Sequence, residues 1–185
     1  MKKRELSAND YGMAWLRIAI GILFLIFAQY KILETKFVDG GGFDSWIHRF
    51  LAGGAYPFMA PLLRDFVLPH AHVLALVVAY GELCIGLALV AGILVKPAGF
   101  FGFLYMLILL FSSNYPGAQA PVWEYFGAAL NHLVLALCFL AFEMSDAGRV
   151  WSLPAYVRRR YIIQRRTESA QEADLPSGAS NVFGK

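Results

Sequence analysis

Long apolar blocks separated by polar, glycine-rich or proline-marked breaks set out the chain. Residues 11–33 are apolar apart from Arg17, Gln29 and Lys31, and residues 72–95 are interrupted by a single acid, Glu82. A very short turn at Lys96 and Pro97 leads into residues 97–112, read as the one block with no ionisable group. A fourth block, 125–143, carries Asn131 and His132 near its middle. A hydrocarbon core of about 30 Å takes about 20 helical residues, so each block is expected to be a membrane span. Between the first two blocks, Phe43, Trp46, Ile47, Phe50 and Leu51 recur at helical spacing with Asp44, Ser45, His48 and Arg49 opposite. This predicts a short amphipathic helix, opened by Gly40, Gly41 and Gly42 and closed by Gly53 and Gly54. A second short helix is expected over 59–67, between Pro57 and Pro69, so that 43–67 caps one mouth of the bundle.

Composition agrees with spans rather than with a soluble core: 58% of the 185 residues are hydrophobic, 16% are charged and the mean hydropathy is +0.54. The expectation is an all-α integral membrane four-helix bundle, residues 11–153, following a short N-terminal segment, 1–10. Outside the first span, eleven Lys and Arg fall on the side of the termini and of Lys96, against Lys36, Arg49 and Arg64 on the other. The positive-inside rule then puts both termini in the cytoplasm and the cap outside. The segment 154–185 reads as a basic stretch that binds anionic lipid head groups, followed from Thr167 by a disordered tail. A net charge of +3 with its basic residues at the chain ends implies no nucleic-acid partner. Cys84 and Cys138 lie inside apolar runs and form neither a disulfide framework nor a metal or redox pattern.

Charges within spans narrow the search for chemistry, because a carboxylate facing lipid costs several kcal/mol by order of magnitude. On the first span Ala14, Arg17, Gly21, Phe24, Ala28 and Lys31 share a face; on the second Ala75, Ala79, Glu82, Gly86 and Leu89 do. Small residues along both stripes allow close backbone approach. Aligning the antiparallel helices at Tyr11 and Val95 leaves Arg17 and Glu82 offset by about 10 Å, within the combined reach of a direct or water-bridged pair. Such a pair serves either to fix helix register or to work as a reactive centre, and both readings stand at this point. His132 falls close to the Glu82 level. A lone mid-span histidine offers no metal set and no second ligand for a haem, and is read first as a bundle histidine. His70 and His72 lack further ligands. Neither phosphate loop nor nucleophile elbow occurs.

Several of these residues resemble the DoxX/DoxD family of small bacterial membrane proteins. The similarity is carried by Leu16, Arg17, Gly21 and Lys31; by Gly81, Glu82, Gly86, Leu87, Ala88, Leu89 and Gly92; and by the run from Gly148 through Arg149, Val150, Trp151 and Ser152 to Leu153. The long first loop, with Trp46 and Pro57, is more similar to the DoxD branch. The resemblance implies a four-helix bundle of the cytoplasmic (inner) membrane tied to redox chemistry, as in the membrane subunit of thiosulfate:quinone oxidoreductase. On that basis a quinone head group is expected in a pocket formed by Glu82 and Arg17 as the catalytic pair, with His132, Asn131, Gly21, Gly86 and Lys31 around them. Glu82 would exchange the proton and Arg17 would orient a carbonyl, while the outer cap would receive a partner subunit. The rival expectation is a non-catalytic scaffold in which the ion pair sets register alone; a small-molecule carrier ranks last.

Overall fold

In the computed structural model, which describes residues 6–34, 36–127 and 130–173, helix α1 (Ala8–Gln29) opens with a capping box. The Asp10 carboxylate accepts the Ser7 N–H at 2.7 Å while Ser7 Oγ accepts the Asp10 N–H at 3.4 Å, which satisfies two otherwise orphaned donors. The helix runs on into a π-turn, Tyr30–Glu34, which carries Lys31. Helix α2 (Gly42–Gly53) follows the left-handed Gly41 and has the expected amphipathic faces. Phe43 and Ile47 are buried with Phe37, Met59 and Leu63 over Ala75 and Ala79, so α2 covers the outer end of the next long helix; Trp46 stays exposed.

Helix α3 (Met59–Leu62) does not stand apart as a separate cap helix. It passes through a π-turn, Leu63–Val67, and a 3-10 turn, Leu68–His70, into α4 (Ala71–Ala91), so that Met59–Ala91 forms one apolar helical path of 33 residues. Pro69 has no N–H to give, and the change of hydrogen-bond pattern around it absorbs the missing donor.

The break between α4 and α5 (Val95–Ser112) comes earlier than Lys96 and Pro97 suggest. Gly92 ends α4 in the left-handed conformation at φ 69°, and Leu94, at φ 51°, turns the chain into α5. Lys96 and Pro97 then occupy the first turn of α5, where a proline is compatible with the helix because its absent N–H would have had no partner.

Helices α6 (Val122–Gly127) and α7 (Leu130–Met144) follow, and α8 (Leu153–Ala173) projects with exposed side chains along most of its described length. Thr167, expected to start a disordered tail, lies within α8, where consecutive Tyr–Arg pairs four residues apart support helical packing on the surface; residues 174–185 lie outside the described ones.

No strand occurs among the described residues. Three helical segments, Ala8–Leu33, Met59–Ala91 and Val95–Ser112, are long and apolar enough to cross a bilayer, and Leu130–Met144 is a shorter apolar helix. Packing proceeds in pairs, α1 on α4 and α5 on α7, joined through α4 and α5. Ile20, Phe24, Leu89, Met106, Phe139 and Phe142 build the shared core, with the Phe24 and Phe139 rings edge-to-face at 5.0 Å. The outward faces present Ile22, Ile26, Val77, Leu87, Phe101 and Leu104, as contact with lipid requires.

Candidate functional site

The register of α1 against α4 decides which charges meet. A Cβ built on Gly21 would lie 2.9 Å from Val90 Cγ2, and one on Gly86 would lie 2.8 Å from Leu25 Cδ2 and 3.0 Å from the Gly21 carbonyl. These glycines are therefore the contact points of the helix pair, filled by the neighbouring helix, rather than the walls of a pocket. Gly21 opposite Val90 and Leu25 opposite Gly86 define one register, which extends to put Lys31 level with Tyr80 and Arg17 level with Leu94. Lys31 is then two residues, about 3 Å, from the level of Glu82, whereas Arg17 is twelve residues, about 18 Å, away. Matching the helices at Tyr11 and Val95 slipped them by about 7.5 Å. The expected Arg17–Glu82 pair is replaced by two separate arrangements.

At the capped end, Lys31 Nζ donates to Glu82 Oε1 in an ion pair whose side chains are only 19% and 5% exposed. Tyr105, from α5, donates its hydroxyl to the same oxygen at 2.7 Å, and Lys31 Nζ lies 3.4 Å from that hydroxyl. The ammonium also lies 5.3 Å from the centre of the Phe37 ring, a cation–π contact that partly replaces its lost hydration. Three elements thus converge on Glu82 Oε1: the π-turn after α1, α4 and α5. Glu82 Oε2, by contrast, is buried and has no hydrogen-bond partner among the described residues. A buried carboxylate oxygen with an open place for a hydrogen bond leaves an acceptor for a ligand, since desolvation makes each missing partner expensive.

Arg17 is fully buried and is held by carbonyls. Its Nη1 donates to Leu89 O and, at 3.4 Å, to Val90 O; its Nη2 donates to Trp151 O at 2.9 Å and Val150 O at 3.3 Å. The first two are carbonyls of the last turn of α4, where the helix dipole favours a cation; Leu89 O also accepts the Gly92 N–H at 3.3 Å. The guanidinium therefore closes α4 and ties it to the segment that leads into α8. No Asp or Glu oxygen lies within 4.0 Å of it among the described residues.

The remaining expected site residues scatter. His132 has a buried Nδ1 without a partner and makes no hydrogen bond to Glu82, Lys31 or Tyr105. Asn131 is exposed on α7. His72 faces Asp39 at 3.2 Å and His70 Nδ1 lies 2.8 Å from Phe66 O, both at the exposed start of α4. Tyr105 escaped the sequence reading, which treated 97–112 as lacking an ionisable group. The signal for it was a lone phenol in an otherwise apolar helix, at a depth matching Glu82.

The model of one family, DoxX, matches residues 12–114, more than half of the chain. No curated protein and no solved structure matches it.

Proposed function

Starting from the premise that the chain belongs to the DoxX family, we propose that it is the membrane subunit of a quinone-linked oxidoreductase whose polar site is Lys31–Glu82–Tyr105. The observation that carries this reading is the unpartnered, buried Oε2 of Glu82, which can accept a hydrogen bond from a quinol hydroxyl or take its proton. Lys31 and Tyr105 both donate to Oε1, so that Oε2 is the atom left for a ligand. A bound quinone would supply the two-electron redox chemistry; the chain's own residues orient the head group, exclude water and hold or release a proton at Oε2. Arg17 has no part in this site, since its Nη1 and Nη2 donate to carbonyls at the other end of α4.

In this reading four helices cross the cytoplasmic (inner) membrane, with α7 completing a fourth span and both termini on the cytoplasmic side. The charge distribution supports that orientation, with Lys96, Arg149 and the arginines of α8 at one end and the cap at the other. The cap formed by α2 and α3 would then face outward and receive the partner subunit that delivers electrons.

Binding of a short-chain quinol, kept reduced under anaerobic conditions, to the purified protein in lipid nanodiscs, followed by quenching of tryptophan fluorescence, tests the proposal. Loss of a hydrogen bond to a charged group predicts that Glu82→Gln weakens binding by roughly tenfold or more while the variant remains folded. Equal affinity in a folded Glu82→Gln protein would overturn the quinone site and leave the scaffold role as the better account.

A further inference from the structure

At the opposite end of the bundle from Glu82, an open cavity of about 520 Å³ lies between the α4–α5 turn and the segment after α7. Lys96 and Arg149 line it, together with Ser145, Asp146 and the backbone from Gly92 to Pro97. Four features make it a receptor for an anion. The N-terminus of α5 opens at this wall without any side-chain cap, and the N–H groups of Val95 and Lys96 meet no carbonyl or side-chain acceptor among the described residues. Ser145 Oγ is buried and has no partner among the described residues. Lys96 and Arg149 bring cationic side chains to the lining beside Asp146, and Arg149 is engaged with Asp10 at 3.9 Å.

The fourth feature is Arg17, a fully buried cation neutralised only by carbonyl dipoles. Its Nη1 would lie 2.7 Å from a Cβ on Gly92, beside Ser152, so the guanidinium sits against a glycine that lines the cavity. A buried charge with no counter-ion is costly unless another charge approaches it. An anion resting against the Gly92–Lys96 turn would supply that charge. Tyr11, Trp15 and Trp151 cluster nearby with ring centres 5.5 and 6.4 Å apart, all exposed, and mark this level as the head-group region of a bilayer.

We infer that this cavity binds a phosphate ester group, with Lys96 as its cationic arm, the α5 N-terminus and Ser145 as its neutral donors, and Arg17 as the charge behind it. The same chemistry is offered by the head group of an anionic phospholipid or by a soluble phosphate monoester. This inference is independent of the quinone site.

The test uses the full chain, with two sources of phosphate. In one arm, the protein is equilibrated with phosphatidylglycerol or phosphatidylcholine and the lipid retained on it is measured by native mass spectrometry. In the other, its melting temperature in detergent is followed as inorganic phosphate or glycerol 3-phosphate is added. A lipid site predicts preferential retention of phosphatidylglycerol, reduced about tenfold by Lys96→Gln and also lowered by Ser145→Ala. A soluble ligand predicts instead a phosphate-dependent rise in melting temperature that the same variants remove. Because α8 carries its own arginines, the lipid arm is repeated with Arg158, Arg159 and Arg160 changed to Gln, and retention should persist. Equal retention of the two lipids with no response to phosphate overturns the inference. So does a preference that survives both Lys96→Gln and Ser145→Ala, or one that only the α8 variant abolishes.

Discussion

Arg17 and Glu82 lie on facing stripes of the same helix pair, yet the molecule answers their charges in different ways. The guanidinium spends its donors on four main-chain carbonyls from two segments. The carboxylate meets two side chains, and only through one of its oxygens. Carbonyls are fixed by the backbone and cannot change protonation state, so the first arrangement holds structure in place. Ammonium and phenol groups can exchange protons, and the free oxygen gives them something to act upon. Burial of a charge within apolar helices is thus a common starting point for two outcomes, and the nature of its partners distinguishes them.

The sharpest way to break this comparison is at Arg17. Arg17→Met keeps an unbranched apolar stem but removes the donors to the carbonyls of Leu89, Val90, Val150 and Trp151, while Arg17→Lys retains the charge and loses the fork that reaches both segments. Arg17→Met should lower stability by about 3–5 kcal/mol, and Arg17→Lys should recover only part of it. Unfolding in mixed detergent micelles measures both. A Met variant as stable as the parent would show that the clamp between α4 and the start of α8 contributes nothing.

How much of this was legible beforehand follows from what each step requires. Helical spacing alone identified the buried stripes, because Ala14, Arg17, Gly21, Phe24 and Ala28 on α1 and Ala75, Ala79, Glu82, Gly86 and Leu89 on α4 are the residues that the packed helices bury. The amphipathic α2 was equally plain, since its apolar positions recur between two glycine-marked ends. Register across the pair was not legible. It depends on where each helix stops, and the glycine at 92 ends α4 before Lys96 and Pro97, which read as a terminator but open the next helix. A slip of five residues was enough to exchange Lys31 for Arg17 as the partner of Glu82. Tyr105 was missed for a different reason: in an apolar run a tyrosine counts as a hydrophobic residue, and its hydroxyl gains importance only once a carboxylate is known to lie beside it.

A smaller effect is expected at the Lys31–Glu82 pair, where a double-mutant cycle separates attraction from burial. Lys31→Met or Glu82→Met alone leaves the other group without its partner and should cost roughly 1–3 kcal/mol. The double change Lys31→Met with Glu82→Met removes both charges from the interior and should return stability to within about 1 kcal/mol of the parent, because well-packed apolar side chains commonly replace a buried ion pair without loss. A double variant no more stable than the worse single would mean that the pair itself holds the bundle together, and the contrast with Arg17 would then fail.

The smallest change sharpens the comparison most finely. Tyr105→Phe preserves the ring, and with it the packing of α5 beside Lys31, and deletes only the hydroxyl that donates to Glu82 Oε1 at 2.7 Å. One hydrogen bond to a charged acceptor among several sets the expected loss of stability at about 1 kcal/mol. Its effect on the carboxylate is more specific. With the phenol gone, Oε1 keeps Lys31 alone. Infrared difference spectra should then show the carboxyl bands of Glu82, identified by their loss in Glu82→Gln, shifted in Tyr105→Phe, while Arg17→Lys leaves them where they were. Unchanged bands in Tyr105→Phe would mean that the hydroxyl does not act on the Glu82 carboxyl group, and would reduce Tyr105 from a member of the site to a packing neighbour.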